Sequence, residues 1–224
     1  MRLLLVGYGK MGRMVESLAA EYGCEIAGVV DPALGRAADA GSADVAIDFS
    51  SPDAVAVNVP ALASRGLDLV VGTTGWSAHE AALRRAVADH GVGIVVAPNF
   101  STGAVLFEAI AAHAAALVAA QAEFGAFVHE AHHAAKKDAP SGTAILLAQA
   151  MERAGFPRPI DMSSTRAGFI PGTHTIGFDG PAETITLRHT ARDRTAFARG
   201  ALVAANWIRG RRGWFTMKDV LGIA

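Results

Sequence analysis

Leu3-Leu4-Leu5-Val6-Gly7-Tyr8-Gly9-Lys10-Met11-Gly12 decides the architecture: an apolar run of strand length passes straight into a Gly-x-Gly-x-x-Gly turn that opens a helical pattern. Gly7 permits the tight turn, Gly9 lets backbone amides approach a pyrophosphate, and Gly12 allows the helix to lie close to its strand. The helix N-terminus then faces the anion with unpaired N–H groups and the positive end of its dipole. A glycine-rich turn also occurs for steric reasons alone. Here Asp31 closes the second apolar run at about the spacing of twenty residues where a carboxylate accepts hydrogen bonds from an adenosine ribose. Its charge disfavours a ribose 2′-phosphate and favours NADH, whereas Lys10 and Arg36 nearby attract that phosphate, so the expectation is NADH preferred, with NADPH usable.

Working outward, apolar runs at Leu3–Val6, Glu25–Val30, Val45–Phe49, Leu67–Val71 and Gly93–Ala97 alternate with helical patterns, the rhythm of a parallel sheet covered by helices. Between the last two, Ser77 and Glu80 have capping-box spacing, Leu83, Ala86 and Val87 form an apolar face, and Gly91 is suited to ending the helix. Gly72-Thr73-Thr74-Gly75 and Ala97-Pro98-Asn99-Phe100-Ser101 leave the carboxyl ends of predicted strands. That edge of an open α/β sheet is where ligands bind. After Asn99 the rhythm changes: a long Ala-rich helix, a strand around Phe127–His133, a helix from near Ser141, and alternation at Thr173–Phe178 and Glu183–His189 around Asp179-Gly180, a hairpin signal. The fold class expected is α/β, a Rossmann-type parallel sheet domain plus a smaller α+β substrate-binding and oligomerisation domain. Thr195–Ile208 has helical spacing, and Trp214–Leu221 carries enough apolar bulk to dock, by expectation back on the first domain.

At 224 residues, 51% of them apolar, the chain can bury a sizeable core. Twenty basic against 21 acidic side chains give no general attraction to nucleic acid or an anionic membrane. No apolar run reads as a signal or membrane segment, and the single cysteine, Cys24, forms no internal disulfide and no Cys-rich metal site, which suits the cytoplasm.

The second informative stretch is His129-Glu130-Ala131-His132-His133-Ala134-Ala135-Lys136-Lys137-Asp138-Ala139-Pro140-Ser141-Gly142-Thr143. Its cations suit a small multiply anionic molecule, and its histidines exchange protons near neutral pH. His129-Glu-x-x-His133 formally matches a zinc-protease signature, but that motif needs a helix, and the preceding Gly-Ala-Phe-Val favours a strand, on which residues four apart stand roughly 13 Å from each other. No metal is expected. Ser141-Gly142-Thr143 begins a helix, a ready carboxylate site beside Lys136.

These residues, together with Asp48-Phe-Ser50, Gly72-Thr-Thr74, Ala97-Pro-Asn-Phe100, Arg194-Thr-Ala-Phe197 and Met217–Leu221, resemble the 4-hydroxy-tetrahydrodipicolinate reductase (dihydrodipicolinate reductase) family over nearly the whole chain. The resemblance implies NAD(P)H-dependent reduction of a cyclic dicarboxylate in the diaminopimelate route to lysine. It implies His132 as proton donor, Lys136 assisting it and contacting substrate, and His133, Ser141, Gly142 and Thr143 holding carboxylates. Gly7, Tyr8, Gly9, Lys10, Met11, Gly12, Asp31, Gly72, Thr73, Thr74, Ala97, Pro98, Asn99, Phe100 and Arg194 line the cofactor side. Residues 1–101 and 194–224 correspond to the nucleotide domain and 102–193 to the substrate and oligomerisation domain. The segment before Arg166-Ala-Gly168 is shorter than in the longer family members, which bears on the homotetramer usual there. Two other readings stay open on sequence alone: a non-catalytic dicarboxylate sensor, and a dehydrogenase of the aspartate or homoserine type.

Overall fold

The structure, a computed structural model, describes residues 1–31 and 43–223, so Arg36 lies outside the described residues. The chain divides into two compact units, one formed by 1–102 with 195–224, the other by 103–194.

In the first unit the strands β1 (Arg2–Val6), β2 (Glu25–Val30), β3 (Val45–Asp48), β4 (Asp68–Val71), β5 (Gly93–Val96) and β10 (Gly213–Phe215) form one sheet in the order β10-β5-β4-β3-β1-β2. Every pairing is parallel. Helices on both faces explain why the central strands read as continuous apolar runs rather than alternating ones: Leu3, Leu4, Val45, Ala46, Leu69 and Val70 are fully buried. The chain moves from β1 to the β2 edge and returns past β1 to β3, so the strand order reverses at β1, the switch point at which such sheets bind ligands.

Helix α1 (Lys10–Ala19) follows Gly9 and turns Gly12, Val15 and Leu18 inward. Helix α2 (Pro52–Ala63) is capped by Ser51, whose side chain accepts from the Ala54 N–H, with Pro52 in the first turn, where its missing N–H costs nothing. Helix α3 (Glu80–His90) ends at Gly91 in the left-handed conformation. The Ser77–Glu80 capping box does not form: Ser77–His79 make a 3-10 turn, and Glu80 instead accepts from Arg84 one turn on, at 2.8 Å. Helix α6 (Thr195–Ile208) packs a face of small residues, Ala198, Gly200, Ala201, Ala204 and Ala205, against α1 and across β3, β4 and β5. The tail joins this unit, as anticipated, and does so by adding β10 beside β5 as a further parallel strand. Helix α7 (Met217–Leu221) follows, with both the N–H and the hydroxyl of Thr216 donating to Asp219 at 2.7 Å.

The second unit begins with α4 (Thr102–Val118), followed by β6 (Gly125–His132), α5 (Gly142–Arg153), β7 (Ile160–Arg166), β8 (Thr173–Asp179) and β9 (Thr184–Thr190). The strands form a mixed sheet in the order β7-β6-β8-β9, in which β6 and β7 are parallel and the other pairs antiparallel. Phe107, Ala111 and Ala115 of α4 and Leu147, Ala148 and Met151 of α5 pack on Val128, Ile176 and Phe178. The hairpin lies where the alternation places it, but Asp179-Gly180 is not a two-residue turn: Gly180 donates to the Glu183 carbonyl at 2.9 Å and the second strand begins at Thr184. Strand β7 is not evident in the sequence, because its exposed Asp-Met-Ser-Ser-Thr run at the sheet edge carries no apolar pattern.

Candidate active site

Because all strands of the first sheet run one way, the turns after β1, β2, β3, β4 and β5 emerge on a single edge. This brings together Gly7 to Gly12, Asp31, Gly72 to Thr74, and Ala97 to Asn99. Gly7 has φ +85°, and a Cβ there would lie 2.5 Å from the Phe49 carbonyl oxygen; one at Gly12 would lie 2.3 Å from the Gly7 oxygen. Helix α1 therefore sits against the turn at a distance only glycine allows. Above Gly9, apart from its chain neighbours, no atom of the described residues comes within 4 Å of a Cβ position, so a ligand has room against its backbone among them. Asp31 accepts from the Tyr8 N–H at 2.6 Å, which ties the end of β2 to the turn. The Tyr8 hydroxyl donates to Glu16, and Arg13 lies 5.3 Å from its ring centroid. Lys10 is exposed and Met11 half-buried.

Asp48 ties the loops of this edge together, a role that spacing alone does not reveal. It is 1% exposed, and its carboxylate accepts from the Ser50 N–H (2.9 Å) and hydroxyl (2.6 Å), the Asn58 amide (3.0 Å) and the Thr73 hydroxyl (3.0 Å). It thereby locks the loop after β3 to the Gly72-Thr-Thr loop. Trp76 adds a bond to the Thr73 carbonyl at 2.6 Å, and Asn99 accepts from the Ser101 N–H at 2.8 Å. Thr74 and Pro98 are exposed on this edge, while Phe100 is buried with its ring edge-on to Phe49. Phe100 thus supports the loops from behind. Arg194 is exposed immediately before α6.

The second unit carries a polar cluster built by strand alternation. Along β6, Ala126 and Val128 face the core, and Glu130 and His132 continue the same face beyond the apolar layer. Register puts Arg166 of β7 beside His132 and His174 of β8 beside Glu130. The N-terminus of α5 arrives at the same place. Glu130 is fully buried, and its oxygens accept from Arg166 at 2.9 and 2.6 Å, from the Ser141 N–H at 3.2 Å and from Nδ1 of His132. Ser141 caps α5 by accepting the Ala144 N–H at 3.2 Å, and its Oγ lies 3.0 Å from Nε2 of His174. The Ser141 side chain is thus engaged on both sides and organises the helix start from within, while Gly142 is exposed and Thr143 half-buried at its opening. Neither of their N–H groups has an intrahelical acceptor.

Burial alone would raise the Glu130 carboxyl, but hydrogen bonds from Arg166, Ser164 and His132 outweigh it and hold it at about 2. Burial, reinforced by neighbouring His132, pushes His174 down to about 4, so its ring is neutral. His132 is also lowered by burial, against the opposing pull of Glu130. Lys136 bonds both carboxylate oxygens of Asp138 at 2.8 and 2.9 Å, and Arg166 holds this loop through the Asp138 carbonyl at 2.5 Å. His133 is exposed just past the strand end.

His129 is on β6, paired to Ser163 at 3.0 Å, and His133 lies just past the end of the strand, so the protease-like motif is not on the helix it requires. Glu130, His132 and His174 do bring ligand atoms within 4.8 Å of one another. Both Glu130 oxygens are already engaged by the Arg166 guanidinium, however, and that fixed cation opposes a dication in the same place. Arg166, His174 and Asp138 were not identifiable as partners beforehand; the even-numbered alternation from Ala126 to His132 was the available sign for Glu130.

A nucleotide-type parallel sheet whose loops converge at a switch point, accompanied by a unit with a histidine, a lysine and a helix N-terminus grouped for an anion, defines a Rossmann-type oxidoreductase of two units. The chain belongs to the dihydrodipicolinate reductase family: residues 1–100 match the model of the family's N-terminal part and 103–221 that of its C-terminal part. Proteins named 4-hydroxy-tetrahydrodipicolinate reductase are similar to it. The one from Myxococcus xanthus is 42% identical over 87% of this chain and 77% of its own. That from Christiangramia forsetii is 33% identical over 99% of this chain and 98% of its own. A dipicolinate-bound dihydrodipicolinate reductase from Paenisporosarcina sp. TG-14 shares the fold with a TM-score of 0.81 at 24% identity, covering 98% of both chains. Among the described residues no helix is long and apolar enough to cross a membrane.

Proposed function

We propose that the chain reduces 4-hydroxy-tetrahydrodipicolinate to tetrahydrodipicolinate with a reduced nicotinamide, NADH in preference to NADPH. This is a step of lysine and diaminopimelate biosynthesis and belongs to the cytoplasm. Residues 1–101 and 194–224 bind the nucleotide and 102–193 the substrate. The observation that carries the reading is the grouping of His132, Lys136 and the α5 N-terminus in a family member whose first unit keeps an open backbone at Gly9.

The turn from Gly7 to Gly12 holds the pyrophosphate and Asp31 the ribose hydroxyls. Gly72, Thr73, Thr74, Ala97, Pro98 and Asn99 border the nicotinamide, with Phe100 behind them and Arg194 as a further contact. When bound, the nicotinamide supplies the hydride. The carboxylates of the substrate are held by His133, by the Gly142 and Thr143 amides and the Thr143 hydroxyl, with Ser141 shaping that helix start. Lys136 leaves Asp138 for the incoming anion. His132 delivers the proton, so that a hydride and a proton enter and oxidised nicotinamide and water leave. The active form is a homo-oligomer, testable by mass measurement in solution.

Mixing the protein with NADH and enzymatically generated substrate tests this by loss of nicotinamide absorbance. Turnover is expected; its absence overturns the reading and favours a dicarboxylate sensor. His132→Gln is expected to lower kcat with cofactor affinity preserved. A higher kcat/KM with NADPH than with NADH overturns the stated preference.

A further inference from the structure

We propose that Glu130 is a positioning residue: clamped by Arg166 and the Ser141 N–H, it holds the His132 ring through Nδ1 and makes Nε2 the atom that delivers the proton. The inference rests on the proposed role of His132 as donor and adds the atom and the residue that orients it.

The carboxylate is fully buried and cannot turn away, because both oxygens are bound from fixed directions: Arg166 Nη1 at 2.9 Å, Nη2 at 2.6 Å, and the Ser141 amide at 3.2 Å. The guanidinium is itself anchored to the Thr165 carbonyl at 2.8 Å and the Asp138 carbonyl at 2.5 Å. An ionised carboxylate only accepts, so the His132 nitrogen facing it carries hydrogen; in the neutral ring that leaves Nε2 as the basic atom, and in the imidazolium Nε2–H is the proton free to leave. On the Nε2 side the chain makes room. A Cβ at Gly172 would lie 2.9 Å from Nε2, so the absence of a side chain there keeps this nitrogen accessible. The His174 ring stands edge-on to His132, with centroids 5.2 Å apart, and adds a neutral wall.

Among the described residues, the charged and titratable groups around the His132 ring are Glu130, Arg166, Lys136 and His174. Glu130 alone favours the imidazolium. Replacing it by a neutral group therefore moves the His132 titration further down, and the limb on which kcat falls with rising pH moves to lower pH.

The test uses the whole protein with 15N-labelled histidine. In the wild type, neutral His132 is expected as the Nδ1–H tautomer. Glu130→Gln is expected to lower kcat by roughly 10- to 100-fold, to move its pH limb down, and to leave KM for NADH unchanged; a limb that stays in place overturns the proposal. The double variant Glu130→Met with Arg166→Met removes the ion pair without stranding a charge, and covers the case in which the single variant does not fold. There a mixed tautomer supports the role and a retained Nδ1–H tautomer overturns it. The tautomer is read without substrate. A wild type that shows the oriented ring but no turnover therefore overturns the proposed function alone, whereas turnover with a freely mixed tautomer overturns this inference alone.

Discussion

Lys136 and Asp138 are paired through both carboxylate oxygens, at 2.8 and 2.9 Å, so the cation assigned to the substrate already has an anionic partner two residues away. The Lys136 cation holds the Asp138 carboxyl below its ordinary range. An incoming dicarboxylate has to displace Asp138, which is 58% exposed and therefore contributes little net energy to the pair. Asp138→Asn is expected to tighten inhibition by pyridine-2,6-dicarboxylate by about 2- to 5-fold, in line with an exposed pair of up to about 1 kcal/mol. Weaker inhibition would contradict this, and a Ki measurement at low salt decides it.

Asp48 serves the other unit as a shared acceptor. Asp48→Ala leaves the Ser50, Asn58 and Thr73 donors without it in a site closed to water. A loss of about 2 to 3 kcal/mol in unfolding free energy is expected, together with a KM for NADH raised more than kcat is lowered. Urea unfolding and initial rates measure the two effects separately.

At Gly12 the constraint is steric. Gly12→Ala puts a methyl 2.3 Å from the Gly7 carbonyl oxygen, which is backbone and cannot rotate aside. Helix α1 must move off the turn. We expect NADH binding, followed by fluorescence titration, to weaken by at least about 10-fold, since a displacement of order 1 Å at an organised site can cost 100-fold; unchanged binding would show that the turn does not hold the pyrophosphate.

Acid should destabilise the chain in two stages. Buried His174 titrates at about 4 in the fold against 6.5 in an unfolded chain, so the unfolded state takes up the proton first and stability falls as pH drops from about 6.5 to about 4. At 1.36 kcal/mol per unit this amounts to at most about 3 kcal/mol. Glu130, at about 2 against 4.5, follows by the same sign: its contribution is complete above about 4.5 and is lost as pH falls towards 2. Unfolding midpoints measured from pH 7 to 3 check this, and His174→Gln should flatten the upper stage. A midpoint that rises on acidification would contradict the assignment.

By itself the sequence determined what depends on short range. Apart from Arg2, Asp48 and Asp68 at their ends, the runs that became β1, β3, β4 and β5 are apolar because helices cover both faces of their sheet, so burial is written directly into consecutive residues. The Gly7 to Gly12 turn and the His129 to Thr143 stretch are contiguous, so their chemistry could be read without knowing what packs on them. Tertiary structure alone decided which groups meet. Arg166 reaches Glu130 because β7 pairs in parallel with β6, and His174 because β8 pairs with it from the other side. Neither register leaves a local pattern: β7 is a polar edge strand, and a slip of one residue would turn Arg166 to the opposite face. Asp48 reads as the end of an apolar strand until the fold brings Thr73 to it across 25 residues of chain. Periodicity is a property of neighbouring residues, whereas the partner of a buried charge is set by strand pairing between distant ones, and that is where the orientation of His132 was decided.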